Sequence, residues 1–227
     1  MIIPIKTRVT SMILKVIVFI SAFLGVFLSA YASKGTFMGG STVFMFFTIQ
    51  SNIAIALISL AGIFFIIRNK PVNHIWYVIK FVGTVSITLT GVVFTFVLAP
   101  TLGEYAWNIQ NILTHVIVPA ISIIDFFITG IYCNIAKRNV FFVIVPPAAY
   151  AIYAGTGYAL RWEFAEGINY PYFFLNWGSP AGAFGFSDKL PFMGTMWWIF
   201  ALLIFLIAVG YVYLLIINML KKLMKRN

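Results

Sequence analysis

Six apolar stretches, each close to the roughly 20 residues that a membrane-crossing helix needs, take up most of the chain. They run approximately over 10–32, 43–67, 75–99, 109–133, 139–160 and 192–220. The breaks between them read "SKGTFMGG", "RNKPVNH", "APTLGEYAWN", "CNIAKRN" and a long final connection from Arg161 to Pro191. Hydrophobic residues make up 62% of the sequence and charged residues only 9%, against about 25% charged in a soluble domain. The expectation is an all-α integral membrane protein, with residues 1–227 forming a single six-helix transmembrane domain. The first stretch, about Met12 to Ala32, has no small-x-small cleavage site followed by a soluble domain, so it reads as the first transmembrane helix.

The net charge is +10, from 15 Lys and Arg against 5 Asp and Glu. The bases sit at the ends of apolar runs, which fits the positive-inside rule better than nucleic-acid binding. With a cytoplasmic N-terminus, the inner side holds Lys6, Arg8, Lys15, Arg68, Lys70, Lys137, Arg138, Lys221, Lys222, Lys225 and Arg226. The outer side holds only Lys34, Arg161 and Lys189, and Lys80 can snorkel inward. Both termini are therefore expected in the cytoplasm, with the basic "KKLMKRN" as a topology anchor. One cysteine, Cys133, permits no intrachain disulfide. His74 is read as a loop residue beside Asn73, so it does not join His115 in a zinc site. No nucleotide-binding, zincin or hydrolase-elbow motif occurs, and no cofactor and no metal are expected.

Polar groups inside the bilayer are costly and mark candidate functional sites. Two clusters stand out. The second stretch carries "FFTIQSN", with Thr48, Gln50, Ser51 and Asn52; the fourth carries "NIQNILTHVIVPAISIID", with Asn108, Asn111, Thr114, His115, Pro119, Ser122 and Asp125. Thr48 is read about five residues into its helix and His115 about six, so both lie roughly 8–9 Å below the outer end. A hydroxyl becomes a nucleophile when a base takes its proton, and histidine is the usual base. Gln50, Asn52, Asn111 or Trp177 could supply donors to an oxyanion. The plainer reading stands beside this: Thr and Ser in membrane helices commonly bond their own backbone or pack against another helix. Pro119 is expected to open the helix beside His115. Asp125 is read as structural, holding the fourth helix to the third through Thr88 or Thr90, with no other ionisable group at its depth; a proton-relay role is the alternative.

The connection "RWEFAEGINYPYFFLNWGSPAGAFGFSDKLP" is aromatic and rich in Gly and Pro. It lies on the same side as Thr48 and His115. Two readings remain open: a lid over an acyl-binding cavity, and an interfacial anchor.

The "FFT" and "THVIVP" stretches in a six-span layout resemble the androgen-induced and androgen-dependent, tissue-factor-pathway-inhibitor-regulating family of multi-pass fatty-acid-ester hydrolases. "FTIQSN", "LTHVIVPAISIID" and "YPYFFLNWG" look most like its prokaryotic six-helix relatives. The resemblance covers most of the chain as topology and these three stretches as motifs. It implies a threonine hydrolase of fatty-acid esters of hydroxy fatty acids, with Thr48 as nucleophile and His115 as base, in a prokaryotic cytoplasmic membrane; the Lys and Arg count places that site toward the outer side. The sequence departs from the family around the nucleophile, where "IQSN" follows Thr48, and in its longer final connection.

The leading expectation is an intramembrane lipid ester hydrolase, or an acyltransferase by the same acyl-enzyme route, whose partners are the bilayer and a lipophilic ester. Two alternatives belong to other classes: a lipid or small-molecule binding or transport protein, and a structural or sensor protein that uses its polar residues for helix association.

Overall fold

The computed structural model describes residues 3–32, 40–69 and 72–225. Most of the first expected connection, together with Lys34, Lys70 and Arg226 of the charge count, lies outside the described residues. Among the described residues six helices are long and apolar enough to cross a membrane. They are α1 (Ile5–Ala32), α2 (Phe47–Ile67), α3 (His74–Trp107), α4 (Ile109–Gly130), α5 (Lys137–Ala159) and α6 (Thr195–Met224).

Several spans depart from the bounds or the regular geometry expected from sequence, and α1 begins at Ile5 rather than near residue 10. α2 begins at Phe47, after a 3₁₀ turn over Gly40–Met45 and an extended Phe46. Thr48 is therefore the second residue of its helix, not the fifth. α3 does not stop near residue 99. It passes through a π turn at Phe94–Leu98 and a short α turn at Ala99–Leu102, then ends in a 3₁₀ turn at Gly103–Trp107. α4 contains a second π turn at Leu113–Ile117. Each π turn is followed within two residues by a proline, Pro100 or Pro119. A proline ring clashes with the carbonyl four residues back and offers no N–H, and widening the turn relieves the clash. α5 starts as a 3₁₀ helix over Lys137–Ile144 and becomes α-helical at Val145. There Pro146 and Pro147 occupy first-turn positions that need no donor.

Side-chain contacts fix which helix ends lie together. Arg8 donates to Ile66 O at 2.8 Å, Thr7 and Tyr132 hydroxyls lie 3.4 Å apart, and Lys221 donates to Asn134 Oδ1 at 2.8 Å. His74, the first residue of α3 rather than a loop residue, lies 3.3 Å from Asn139 near the start of α5. This is the basic end of the bundle. The opposite, aromatic end holds the starts of α2 and α4 and the connection from 160 to 194.

α3 is the central helix and packs on α2, α4, α5 and α6, while α1 lies against α2 and α4. Phe81, Val85 and Leu89 of α3 form the main core with Phe126, Val140, Val143, Leu206 and Tyr213. Val18, Ala22, Ile55, Ile87 and Val118 form a second core where α1 to α4 meet. Large apolar side chains such as Phe23 and Ile204 face outward, as suits a helix bundle solvated by lipid chains.

Within this apolar frame lies an ionic cluster that differs from the sequence expectation. Asp125 pairs with neither Thr88, which bonds Tyr213, nor Thr90, which bonds Ser51. It does have ionisable neighbours. Lys15 Nζ is 2.7 Å and Lys80 Nζ 2.6 Å from Asp125 Oδ2. Ser11 donates to Asp125 Oδ1 at 2.5 Å, and Lys80 also donates to Thr129 Oγ1 at 2.6 Å. All five residues are buried. The cluster therefore joins α1, α3 and α4. Removing one member of a buried ion pair leaves an uncompensated charge, which costs about 3–5 kcal/mol. Asp125→Asn is expected to destabilise the protein by that order, read as a lowered thermal midpoint in detergent; an unchanged midpoint would show that the cluster does not hold the three helices.

Candidate active site

The helix break at Phe46 leaves α2 without a capping side chain of its own. The first N–H groups of a helix have no intrahelical acceptor, and in an apolar setting they need one. Thr48 N–H donates instead to the hydroxyl of Tyr172, at 3.3 Å. Tyr172 comes from the "YPYFFLNWG" stretch and lies among aromatic rings. It stacks on Phe174 with centroids 5.1 Å apart and meets Phe46 edge-on at 5.7 Å. Burial among these groups raises its pKa above the ordinary tyrosine value, so it stays a neutral phenol and keeps its donor proton.

The Tyr172 hydroxyl is also 3.4 Å from Thr48 Oγ1. On its other side, Thr48 Oγ1 is 3.3 Å from His115 Nε2. α2 and α4 therefore touch at this point, and a second link reinforces the contact. Asn52 donates to Thr48 O at 2.8 Å and to Thr114 O at 3.1 Å. Ser51, on the same turn, exchanges a hydrogen bond with Thr90 of α3 at 2.7 Å.

The imidazole is held in one tautomer. Nδ1 lies 3.1 Å from the carbonyl oxygen of Asn111 and 3.0 Å from Thr114 Oγ1. A carbonyl only accepts, so Nδ1 carries the proton. Nε2 then presents its lone pair to Thr48 Oγ1, the arrangement a general base requires. Phe94, from the π turn of α3, stacks on the imidazole with centroids 3.8 Å apart and planes 20° apart. His115 itself lies in the π turn of α4. The two irregular turns thus meet face to face.

Gly91 permits this approach. A Cβ there would lie 2.9 Å from His115 O and 3.3 Å from Pro119. Beside the Thr48–His115 pair runs a narrow apolar cavity of about 60 Å³, lined by Thr48, Leu89, Phe94, Tyr150, Tyr172 and Leu202 among others.

The other residues singled out from sequence fall elsewhere. Gln50 is exposed and donates to Phe44 O. The Asn111 side chain turns back to Ala106 O, so only its backbone carbonyl serves the imidazole. Ser122 is buried on α4, and its hydroxyl has no partner among the described residues. Trp177 packs its indole against Gly155 of α5. Asp125 belongs to the ionic cluster. Sequence reasoning had not singled out Tyr172 or Phe94. The uncapped helix start that calls for Tyr172 becomes visible only once α2 is known to begin at Phe47 and not near residue 43.

No family model, curated protein or solved structure matches the chain.

Two substitutions test the geometry. Tyr172→Phe removes the distant cap, and loss of a helix cap costs about 0.5–2 kcal/mol. It is expected to lower the thermal midpoint and to speed protease cleavage within 160–194; unchanged cleavage would mean that the connection is held by ring packing alone. Gly91→Ala forces overpacking worth about 1–3 kcal/mol and is expected to lower the midpoint, whereas a neutral result would show that α3 and α4 can separate freely.

Proposed function

We propose that the protein is an intramembrane hydrolase of lipophilic esters, with Thr48 as nucleophile and His115 as general base. The observation that carries this reading is the Thr48 Oγ1 to His115 Nε2 distance of 3.3 Å, with Nδ1 held by the Asn111 carbonyl. An unliganded nucleophile–base pair is commonly this loose and tightens on the substrate.

In the first half-reaction Thr48 Oγ1 attacks the ester carbonyl while its proton passes to Nε2. The tetrahedral oxyanion forms at the first turn of α2, where the positive end of the helix dipole favours negative charge. The Tyr172 hydroxyl, 3.4 Å from Thr48 Oγ1, is placed to donate to that oxygen. Collapse expels the alcohol, which takes the proton from the imidazolium and leaves an acyl ester on Thr48. Water then attacks the acyl ester, giving its proton to Nε2. The second collapse releases the acid and restores the Thr48 hydroxyl.

The apolar cavity supports a hydrocarbon chain rather than a polar acyl group. At about 60 Å³ it must widen to admit a long one, and the Tyr172 segment is the wall best suited to move. The resemblance to fatty-acid-ester hydrolases agrees with this substrate class. The Lys and Arg asymmetry supports cytoplasmic termini and a Thr48 site near the outer face of a cell membrane.

The test is labelling of the purified protein in detergent with a lipophilic fluorophosphonate, followed by hydrolysis of fatty-acid esters. Thr48→Ala is expected to lose labelling entirely. His115→Gln is expected to slow hydrolysis by about 10²–10⁴-fold, the usual contribution of a general base. Both variants should keep a cooperative thermal transition. Labelling that persists in folded Thr48→Ala would remove Thr48 from the role of nucleophile.

A further inference from the structure

A second cavity, of about 520 Å³, opens at the basic end, on the side of the bundle away from Thr48. Its polar lining includes Arg8, Ser11, Lys15, Lys80, Thr129 and Tyr132. Lys15 and Lys80 are each only 4% exposed, yet both border this space. They reach it along different routes. Lys15 lies ten residues into α1 and Lys80 six into α3, and side chains on a helix lean back toward its N-terminus. Both helices start at the basic end, so both stems lean toward it. Gly62 of α2 makes room for one of them: a Cβ there would lie 2.5 Å from Lys15 Cε.

The charge of this space is unbalanced. Three basic side chains, Arg8, Lys15 and Lys80, line this space, and the two lysines share one carboxylate, that of Asp125. The other acidic side chains are Glu104, Glu163, Glu166 and Asp188. Glu104 sits in the turn before α4, and the other three in the connection from 160 to 194, all at the aromatic end. Arg8 spends one N–H on Ile66 O, and a guanidinium carries five. Among the described residues Ile66 O is the one acceptor for it, which leaves donors free for a ligand.

Two buried lysines on one carboxylate leave a residual positive charge, and with the half-buried Arg8 bordering the same open space that charge favours an anion. Phosphate fits the donor set best, because guanidinium and ammonium groups together bind its several oxygens by charge-assisted bonds. Phe65, Ile66 and Trp76 line the same space with apolar surface, which suits a phosphate carried on a lipid better than one free in water. We propose that the basic-end cavity is a binding site for a phosphate group, presented by the headgroup of an anionic lipid.

The full-length protein in non-ionic detergent is titrated separately with dioctanoyl phosphatidic acid, dioctanoylglycerol and inorganic phosphate, and the thermal midpoint is followed. The midpoint is expected to rise with phosphatidic acid and to stay fixed with dioctanoylglycerol, because a ligand of the native state stabilises it by mass action. Arg8→Gln is expected to weaken the apparent affinity for phosphatidic acid about tenfold, as loss of a charge-assisted contact implies, with Arg8→Lys recovering part of it. Equal stabilisation by inorganic phosphate would uphold the site and assign it to a soluble ligand. No stabilisation by either phosphate compound, or the same stabilisation in Arg8→Gln, would overturn the proposal and leave the cluster a purely structural tie.

Discussion

Asp125 carries a charge that α1, α3 and α4 all depend on. Lys15 and Lys80 converge on one of its oxygens, and Ser11 and Thr129 take up further hydrogen bonds within the cluster. In water such an interaction would contribute little, because both partners would be solvated. Inside an apolar bundle buried charges must be satisfied mainly by protein groups, and their geometry becomes far more constrained. The consequence reaches beyond the cluster. Asp125 and His115 lie on the same helix, so fixing Asp125 against α1 and α3 also fixes the axial position of α4. Ser51 and Thr90 tie α2 to α3 in the same way. The height of His115 relative to Thr48 is thus set by polar contacts on three neighbouring helices.

The candidate active site shows how an irregular backbone can be useful inside a membrane. Regular α-helices at Phe94 and His115 would direct these side chains differently. Pro100 and Pro119 disfavour regular helix just ahead of themselves, and a π turn results in each case. The two widened turns then stack the Phe94 ring on the imidazole, and Gly91 lets the helices approach closely enough for that contact. The stacked ring and the Asn111 carbonyl constrain the imidazole in two directions. Among the described residues no carboxylate takes part. A neutral orienting group costs far less to bury than a third charge would.

How much of this was legible in the sequence depended on whether the signal was local. The six apolar runs revealed the spans, because length and hydropathy are properties of contiguous residues. Thr48 and His115 emerged as a pair because each was conspicuous in its own run and their depths were similar. The depth argument reached a contact that exists from a starting point that does not, since α2 begins at Phe47 and not near residue 43. The partners of Asp125 were missed for a related reason. With α1 taken to begin at residue 10, Lys15 read as a flank. With its true start at Ile5, Lys15 lies about 15 Å along the helix, and its long stem returns to the level of Asp125. Lys80 was read as snorkelling toward water when a carboxylate was nearer. In both cases long side chains made the position of the Cα a poor guide to the position of the charge.

Tyr172 shows why the final connection belongs with the site rather than beside it. A ring cluster alone would explain the aromatic content of "YPYFFLNWG", and a membrane anchor would use the same residues. Neither role requires a hydroxyl at the start of α2. An uncapped helix does, because its first N–H groups are buried away from water. By accepting from Thr48 N–H while lying beside Thr48 Oγ1, Tyr172 makes the order of the helix start and the order of the connection one property. Any displacement of this segment that widens the neighbouring cavity must also release the helix start that carries the candidate nucleophile. On the proposed function, substrate admission and the positioning of Thr48 would be coupled by that single hydroxyl, and Tyr172 would have to return to Thr48 over the bound ester before the site was complete.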